Sequence, residues 1–352
     1  MSLKYLYHNE AFPLESGESL EGIKIAYQTW GNLDKSTKKV IWVCHALTGS
    51  ADVFDWWSDL FGADKLFNPS DYFIVCANVL GSHYGSTGPL SKKSNGNKFY
   101  HSFPAITTLD MVRAHEVLRK YLGIEQIHLL IGASLGGQQA IQWAVEKPEI
   151  AEQLALIATN AQHSPYGIAF NETQRMAIQA DQSFKYSYDY AGLEGLKAAR
   201  AIAMLSYRSA SGYLVTQSED SNEKADAFKA SSYQRYQGEK FVKRFNAFSY
   251  WTLSKAMDSH NVFRNHPDAL KRIQARTLCI GITTDLLFPV SEQKFLNEEI
   301  EDSIYVEIES EFGHDGFLVE GKQLEEILKD FLNEKTAKYK PTIFKQKHLI
   351  VA

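Results

Sequence analysis

The sequence predicts an α/β fold: a mostly parallel sheet flanked by helices, with a helical segment set into it. Three observations point there. Short, continuously apolar runs recur at 39–46, 72–79, 127–132 and 153–159. Such runs suit strands buried on both faces, as a parallel sheet requires. Amphipathic stretches separate the later runs, giving the alternation of a βαβ series. Across 161–270 these runs stop, and they resume at 275–282 and 303–309.

Taken in order, "KVIWVCHA" and "YFIVCANV" read as the first core strands. "TTLDMVRAHEVLRKYLG" follows, with Met111, Val112, Val117, Leu118, Tyr121 and Leu122 near helical spacing. Thr107 and Asp110 have the spacing of a capping box, and Gly123 supplies a stop. "IHLLIG" is a strand, "GGQQAIQWAVEKP" a helix closed by Pro148, and "QLALIAT" another strand. The segment 161–270 is rich in Ala, Gln, Lys, Tyr and Phe. Its clearest helical stretches are "TQRMAIQAD", "GLKAARAIAMLSY" and "GEKFVKRFNAFSYWTLSKAMD". "ARTLCIGI", "SIYVEIE" and the helix "KQLEEILKDFLNEK" restore the α/β pattern. The expected organisation is therefore a core of 1–160 and 271–335, a helical insertion of 161–270 and a basic tail of 336–352.

The chain has 352 residues, 44% hydrophobic and 22% charged. This suits one large domain with an insertion, or two domains. A net charge of −5 argues against a nucleic-acid or anionic-membrane partner. The opening "MSLKYLYHNEAFPLESG" has no apolar core behind a basic start, so no signal peptide is read there. No apolar stretch is long enough to span a bilayer, and the cytoplasm is the expected compartment. Cys44, Cys76 and Cys279 each sit in a strand-like run and are expected to be buried free thiols. Cys44 neighbours His45, but adjacent strand residues face opposite ways and do not pair.

Gly132-Ala133-Ser134-Leu135-Gly136 matches G-x-S-x-G between a buried strand and a helix. This is the setting of a nucleophile elbow, in which a sharp turn lifts a serine hydroxyl clear of the sheet. The competing reading, a phosphate-binding turn, is weakened because G-x-G-x-x-G is absent. A serine needs a base, and the base needs an acid to fix its tautomer. In this architecture the chain order is Ser, acid, His. Asp285 follows a late strand in "TLCIGITTDLLFP". Only His314 and His348 come after it; His314 lies in a Gly-flanked loop, whereas His348 lies in the tail. The expected triad is Ser134, Asp285 and His314. The oxyanion donors are expected at the N–H groups of Leu135 and of Leu47, in the loop "CHALTGSAD". His45 is read as structural.

Several further motifs accompany the elbow: "CHALTGSAD", "NVLGSHYGSTGP", "FPAITTLDMVRA", "GLKAARAIAMLSYRS", "YQGEKFVKRFNAFSYWTLSKAMDSHNV", "DLLFP" and "GHDGFL". Together they resemble the homoserine O-acetyltransferase family of the α/β-hydrolase superfamily, over about residues 10 to 335. The resemblance implies an α/β-hydrolase fold with a helical lid and a homodimer joined through the lid helices. It also implies a Ser-His-Asp acyltransferase of methionine biosynthesis that uses acetyl-CoA and L-homoserine and needs no metal or cofactor. It puts the substrate-carboxylate arginine on Arg200, with Arg208 as the alternative, a tyrosine on Tyr207, and the ammonium-binding acid on Asp315. Three departures stand out: Ala133 where glycine is common, His83 where cysteine is common, and a short lid. The neighbouring functions are homoserine O-succinyl transfer, L-serine O-acyl transfer, ester hydrolysis and binding without catalysis.

Overall fold

The computed structural model describes residues 2–33 and 39–335. The tail 336–352, including His348, lies outside the described residues. The chain opens with β1 (Lys4–His8), β2 (Phe12–Pro13), β3 (Ser19–Leu20) and β4 (Ile23–Trp30). Next come β5 (Lys39–Cys44), the short helix α1 (Val53–Trp56) and β6 (Tyr72–Ala77). Helix α2 (Thr108–Tyr121), β7 (Ile127–Ala133), α3 (Leu135–Glu146) and β8 (Ala151–Ile157) then alternate. A run of helices follows: α4 (Pro165–Ala180), α5 (Leu193–Tyr207), α6 (Ala210–Gln217), α7 (Lys229–Val242) and α8 (Ala247–Asp258). The chain returns to the sheet with β9 (Arg276–Ile282), α9 (Val290–Glu299) and β10 (Ser303–Ile308), then ends in α10 (Gly316–Val319) and α11 (Gly321–Leu332).

The main sheet has the order β1-β4-β6-β5-β7-β8-β9-β10. From β6 to β10 every pairing is parallel, so all these strands end on one edge. The register sets Cys44 beside Gly132, Ala133 beside Ile157, and Ile308 beside Ile282. The loops that carry Leu47, Ser134, Asp285 and His314 therefore leave a common edge.

Alternating residues of each strand enter two separate cores. Trp42, Leu130 and Leu154 pack on one side, and Ile41, Leu129, Ile131 and Ala155 on the other. Each buried Leu or Ile contributes roughly 1.5–3 kcal/mol. This two-sided burial explains the uninterrupted apolar runs. On the first side, Trp143 of α3 meets Trp42 edge-on at 5.0 Å and stacks on His115 of α2 at 5.5 Å.

Helix α2 begins as its sequence signals. The Thr107 hydroxyl accepts from the Asp110 amide, and the Asp110 carboxylate accepts from the Thr107 amide. Gly123, with φ +67°, follows its last turn. Two sequence expectations need correction. No strand was expected before residue 39, yet β1 and β4 extend the sheet in antiparallel register. β1 lies at the sheet's edge and is largely exposed, so it lacks a core strand's apolar run. The stretch 238–258 is also two helices rather than one. Asn246 separates them, its side chain accepting from the Ser249 amide at 2.8 Å to cap α8.

Four buried histidines pin the loops to the core. The His115 ring bonds the Gln139 side chain, and His260 bridges the Thr108 hydroxyl and the Asn160 carbonyl. Burial pushes His45, His115 and His163 down to about 4, and His260 to about 3. In the unfolded chain these groups take up protons near pH 6.5. Between the two values the unfolded state binds more protons, so stability is full above about pH 6.5 and is lost as pH falls toward 4. Urea unfolding midpoints should therefore hold steady above about pH 7 and fall steeply from about pH 6.5 to 4. A flat midpoint across that window contradicts the neutral buried histidines.

Candidate active site

Ser134 sits between β7 and α3 with φ +56° and ψ −128°, a conformation that L side chains rarely adopt. Hydrogen bonds hold its backbone on both sides. Its amide donates to the Ile157 carbonyl at 3.0 Å, and its carbonyl accepts from the Thr159 hydroxyl at 2.9 Å. The flanking glycines are dictated by close approach. A Cβ on Gly132 would lie 2.2 Å from the Gly136 carbonyl oxygen. A Cβ on Gly136 would lie 2.1 Å from the Cys44 carbonyl oxygen. Ala133 points instead into the core with Leu129, Ile131 and Ile157, where a methyl group has room to pack.

The contact of Gly136 with Cys44 brings the start of α3 against the loop after β5. Neither the Leu47 nor the Leu135 amide donates to a described residue. His45 fixes the loop between them. Its Nδ1–H donates to the Ala46 carbonyl at 2.8 Å, and its Nε2 accepts from the Val79 amide at 3.1 Å. Both ring nitrogens are committed, and burial keeps the ring neutral. Cys44 is buried as a free thiol, and burial pushes it well above the usual thiol range.

Asp285 and His314 meet. The His314 Nδ1–H donates to Asp285 Oδ2 at 2.7 Å. The other carboxylate oxygen accepts from the amides of Leu287 and Phe288 at 2.8 and 2.9 Å. These bonds orient the acid and leave His314 Nε2 as the basic nitrogen. The imidazole stacks on Phe288 at 5.1 Å and meets Phe317 edge-on at 5.4 Å. Ser134 Oγ has no hydrogen bond to a described residue, His314 included; the two are joined through the sheet edge that carries them.

The other expected residues fall into two groups. Arg200 lies over the rings of Tyr207 and Phe241 at 5.3 and 5.0 Å, and its Nε is buried without a partner. Tyr207 faces His314 at 5.9 Å between ring centres. Arg208 is engaged elsewhere: its Nε donates to Asp315 Oδ2 at 2.7 Å. Asp315 is thus already neutralised on one oxygen, and of these two arginines Arg200 is the one without an anion among the described residues.

Sequence reading missed several residues around this core. Arg244 donates to the Thr48 carbonyl at 2.9 Å and to the Tyr84 hydroxyl at 2.6 Å, joining the helical segment to the loop of Leu47. His83 Nδ1 accepts from the Asn246 side chain at 2.8 Å. Asn160 receives Gln138 and donates to Glu292 at 2.9 Å. Burial pushes Glu292 up to about 7; the Asp285 charge adds to this, and the Asn160 bond opposes it. Arg244, Asn160 and Glu292 carry no local sequence signature, because each acts across long chain separations, and His83 stood out in the sequence only as a departure from the family's cysteine. Among the described residues, no group of three or more His, Cys, Asp or Glu side chains is placed to hold a metal ion. No described helix is long and apolar enough to cross a membrane.

A family model for the alpha/beta hydrolase fold matches residues 39–321. A homoserine O-acetyltransferase of Cyclobacterium marinum is 50% identical over 338 residues, covering 95% of this chain and 96% of that protein. The crystal structure of homoserine O-acetyltransferase from Staphylococcus aureus superposes with a TM-score of 0.80 at 29% identity, covering 98% of this chain and 97% of that one. The structure of esterase E22 superposes with a TM-score of 0.86 at 21% identity, covering 94% of this chain and 99% of that one.

The geometry makes a direct demand on Asp285. Asp285→Asn keeps the shape but favours the wrong imidazole tautomer, so labelling of Ser134 by a fluorophosphonate should slow by about 10⁴-fold. Labelling at the wild-type rate contradicts the assignment of Asp285 and His314.

Proposed function

Because the chain belongs to the alpha/beta hydrolases and, within them, to the homoserine O-acetyltransferase family, we propose that it moves an acetyl group from acetyl-CoA to the side-chain hydroxyl of L-homoserine. One observation carries the choice of an amino-acid acceptor over water. Arg200, held on Tyr207 beside the His314 ring, has a buried Nε with no partner. A planar guanidinium without an anion suits a substrate carboxylate. The free oxygen of Asp315 suits the ammonium, while Arg208 keeps its other oxygen occupied.

The reaction runs in two halves. His314 Nε2 takes the proton of Ser134 as Oγ attacks the thioester carbonyl. The oxyanion rests on the amides of Leu47 and Leu135. The C–S bond breaks, His314 returns the proton to the CoA thiolate, and acetyl-Ser134 remains. Homoserine then gives its hydroxyl proton to His314, attacks the acetyl carbonyl and leaves as O-acetyl-L-homoserine. Ser134 regains the proton. No metal or resident cofactor enters the scheme.

In this reading, helices α4–α8 form a lid over the site and limit water, the competing acceptor. The exposed Leu205, Leu214, Val215 and Tyr236 of α5, α6 and α7 support a homodimer joined through the lid. The enzyme is placed in the cytoplasm as part of methionine biosynthesis. The second reading, ester hydrolysis, is favoured by the close likeness of fold to esterase E22. Acceptor dependence separates the two.

CoA release should require homoserine for turnover, with succinyl-CoA and L-serine as weaker alternatives. Ser134→Ala should lose at least about a thousandfold in kcat. Near-normal turnover by the folded variant contradicts the nucleophile. Arg200→Met should raise KM for homoserine roughly 10- to 100-fold while leaving the first CoA burst intact. Equal damage to the burst contradicts an acceptor-side role.

A further inference from the structure

A cavity of about 530 Å³ opens between the start of β4, the loop after β6 and helix α8. Its lining includes Lys24, Lys92 and Lys98, and no Asp or Glu. Among the described residues Lys24 and Lys92 have no carboxylate partner; the ammonium of Lys24 lies over the Tyr5 ring at 5.2 Å. Lys98 pairs with Asp189 at 2.6 Å. An isolated antiparallel bridge sets Lys92 and Lys98 side by side.

The hydroxyls in the wall add to this polarity. Thr87 Oγ1 accepts from the Lys24 amide at 2.7 Å, Ser91 Oγ from the Gly88 amide at 3.0 Å, and Ser82 Oγ from the Tyr84 amide at 3.3 Å. None of these hydroxyls donates to a described residue, so each keeps its proton for a ligand. The cavity thus presents cations and free donors, and the carboxylate that reaches its wall, Asp189, is paired with Lys98. That is the chemistry of a site for a multiply charged anion. Its volume exceeds what a single phosphate fills and falls in the range of small-molecule sites.

The cavity shares a sheet edge with the reaction centre: the loop after β6 lines it, and β6 pairs in parallel with β5, whose following loop carries Leu47. Its wall residue His83 bonds Asn246, and the next residue, Tyr84, receives the Arg244 guanidinium that also holds the Thr48 carbonyl. Thr48 follows Leu47 in the chain. A ligand filling the cavity with phosphates and placing a carbonyl at Ser134 must be long, with its charge at one end and its reactive group at the other. A CoA thioester has that form. We propose that this cavity, through Lys24, Lys92 and the hydroxyls beside them, binds the phosphate-bearing end of the acyl donor. The proposal rests on the acetyl-CoA reading given above.

The test compares acetyl-CoA with S-acetyl-N-acetylcysteamine, which carries the same thioester and no phosphate. The combined Lys24→Gln and Lys92→Gln variant should raise KM for acetyl-CoA by about tenfold or more, with kcat kept. Its kcat/KM for the short thioester should match that of the unaltered enzyme, which also shows that the variant is folded. Adenosine 3′,5′-bisphosphate should compete with acetyl-CoA, and inorganic phosphate should compete far more weakly. An unchanged KM for acetyl-CoA, or an equal loss with both donors, overturns the proposal while leaving the acetyl-transfer reading intact. If the unaltered enzyme uses the two donors equally well, the cavity proposal is overturned; if it releases no CoA from acetyl-CoA with any acceptor, the donor reading falls with it.

Discussion

The strained backbone of Ser134 is the constraint on which the rest of the site depends. A positive φ at a non-glycine residue is costly and persists only when its surroundings over-determine it. Here the surroundings are specific. The Ile157 carbonyl and the Thr159 hydroxyl hold the two sides of the residue, and Gly132 and Gly136 let backbone pass where no Cβ fits. The same close approach sets the loop after β5 against the start of α3, bringing the Leu47 and Leu135 amides into one region. The elbow and the proposed oxyanion donors are therefore a single packing solution. The central parallel strands, buried on both faces, supply the rigidity that solution needs.

The helical segment is tied to the same centre. Gly313, with φ +64°, lets the loop before His314 pass close to the backbone of Arg208 and Ser209; a Cβ there would lie 2.8 Å from the Ser209 amide nitrogen. Arg208 grips Asp315, the residue after His314, and Arg244 grips Thr48, the residue after Leu47. Residues just past the ends of α5 and α7 thus hold both the loop of His314 and the loop of Leu47. On the proposed reading, positioning of an acceptor on Arg200 and alignment of the reacting groups share one set of supports.

The fold was largely legible in the sequence because parallel strands buried on both faces leave uninterrupted apolar runs. The elbow was legible for a related reason: glycine spacing, a strand before and a helix after all fall within one short segment. Asp285 and His314 were reached by chain order, and their mutual hydrogen bond agrees with that order. Of the antiparallel strands before residue 39, β1 was missed because an exposed edge strand buries too little to leave an apolar run, and β4, though buried, because Lys24, Gln28 and Thr29 interrupt its apolar run. The arginines show a different limit. The family resemblance put the carboxylate role on Arg200 and kept Arg208 as the alternative. Only the fold shows that Arg208 is spent on Asp315 and that Arg200 has no such partner. Arg244, Asn246 and Glu292 belong to the same class, as their contacts cross more than a hundred residues of chain.

The central claim is that Ser134 carries the acyl group between two substrates. The most direct measurement mixes the enzyme with acetyl-CoA in the absence of acceptor, quenches in acid and locates the added mass by peptide mapping. One acetyl group should appear on the peptide containing Ser134, and a chase with homoserine should remove it as O-acetylhomoserine. If no acyl-enzyme forms, or if the acetyl group maps to another residue, the account is contradicted.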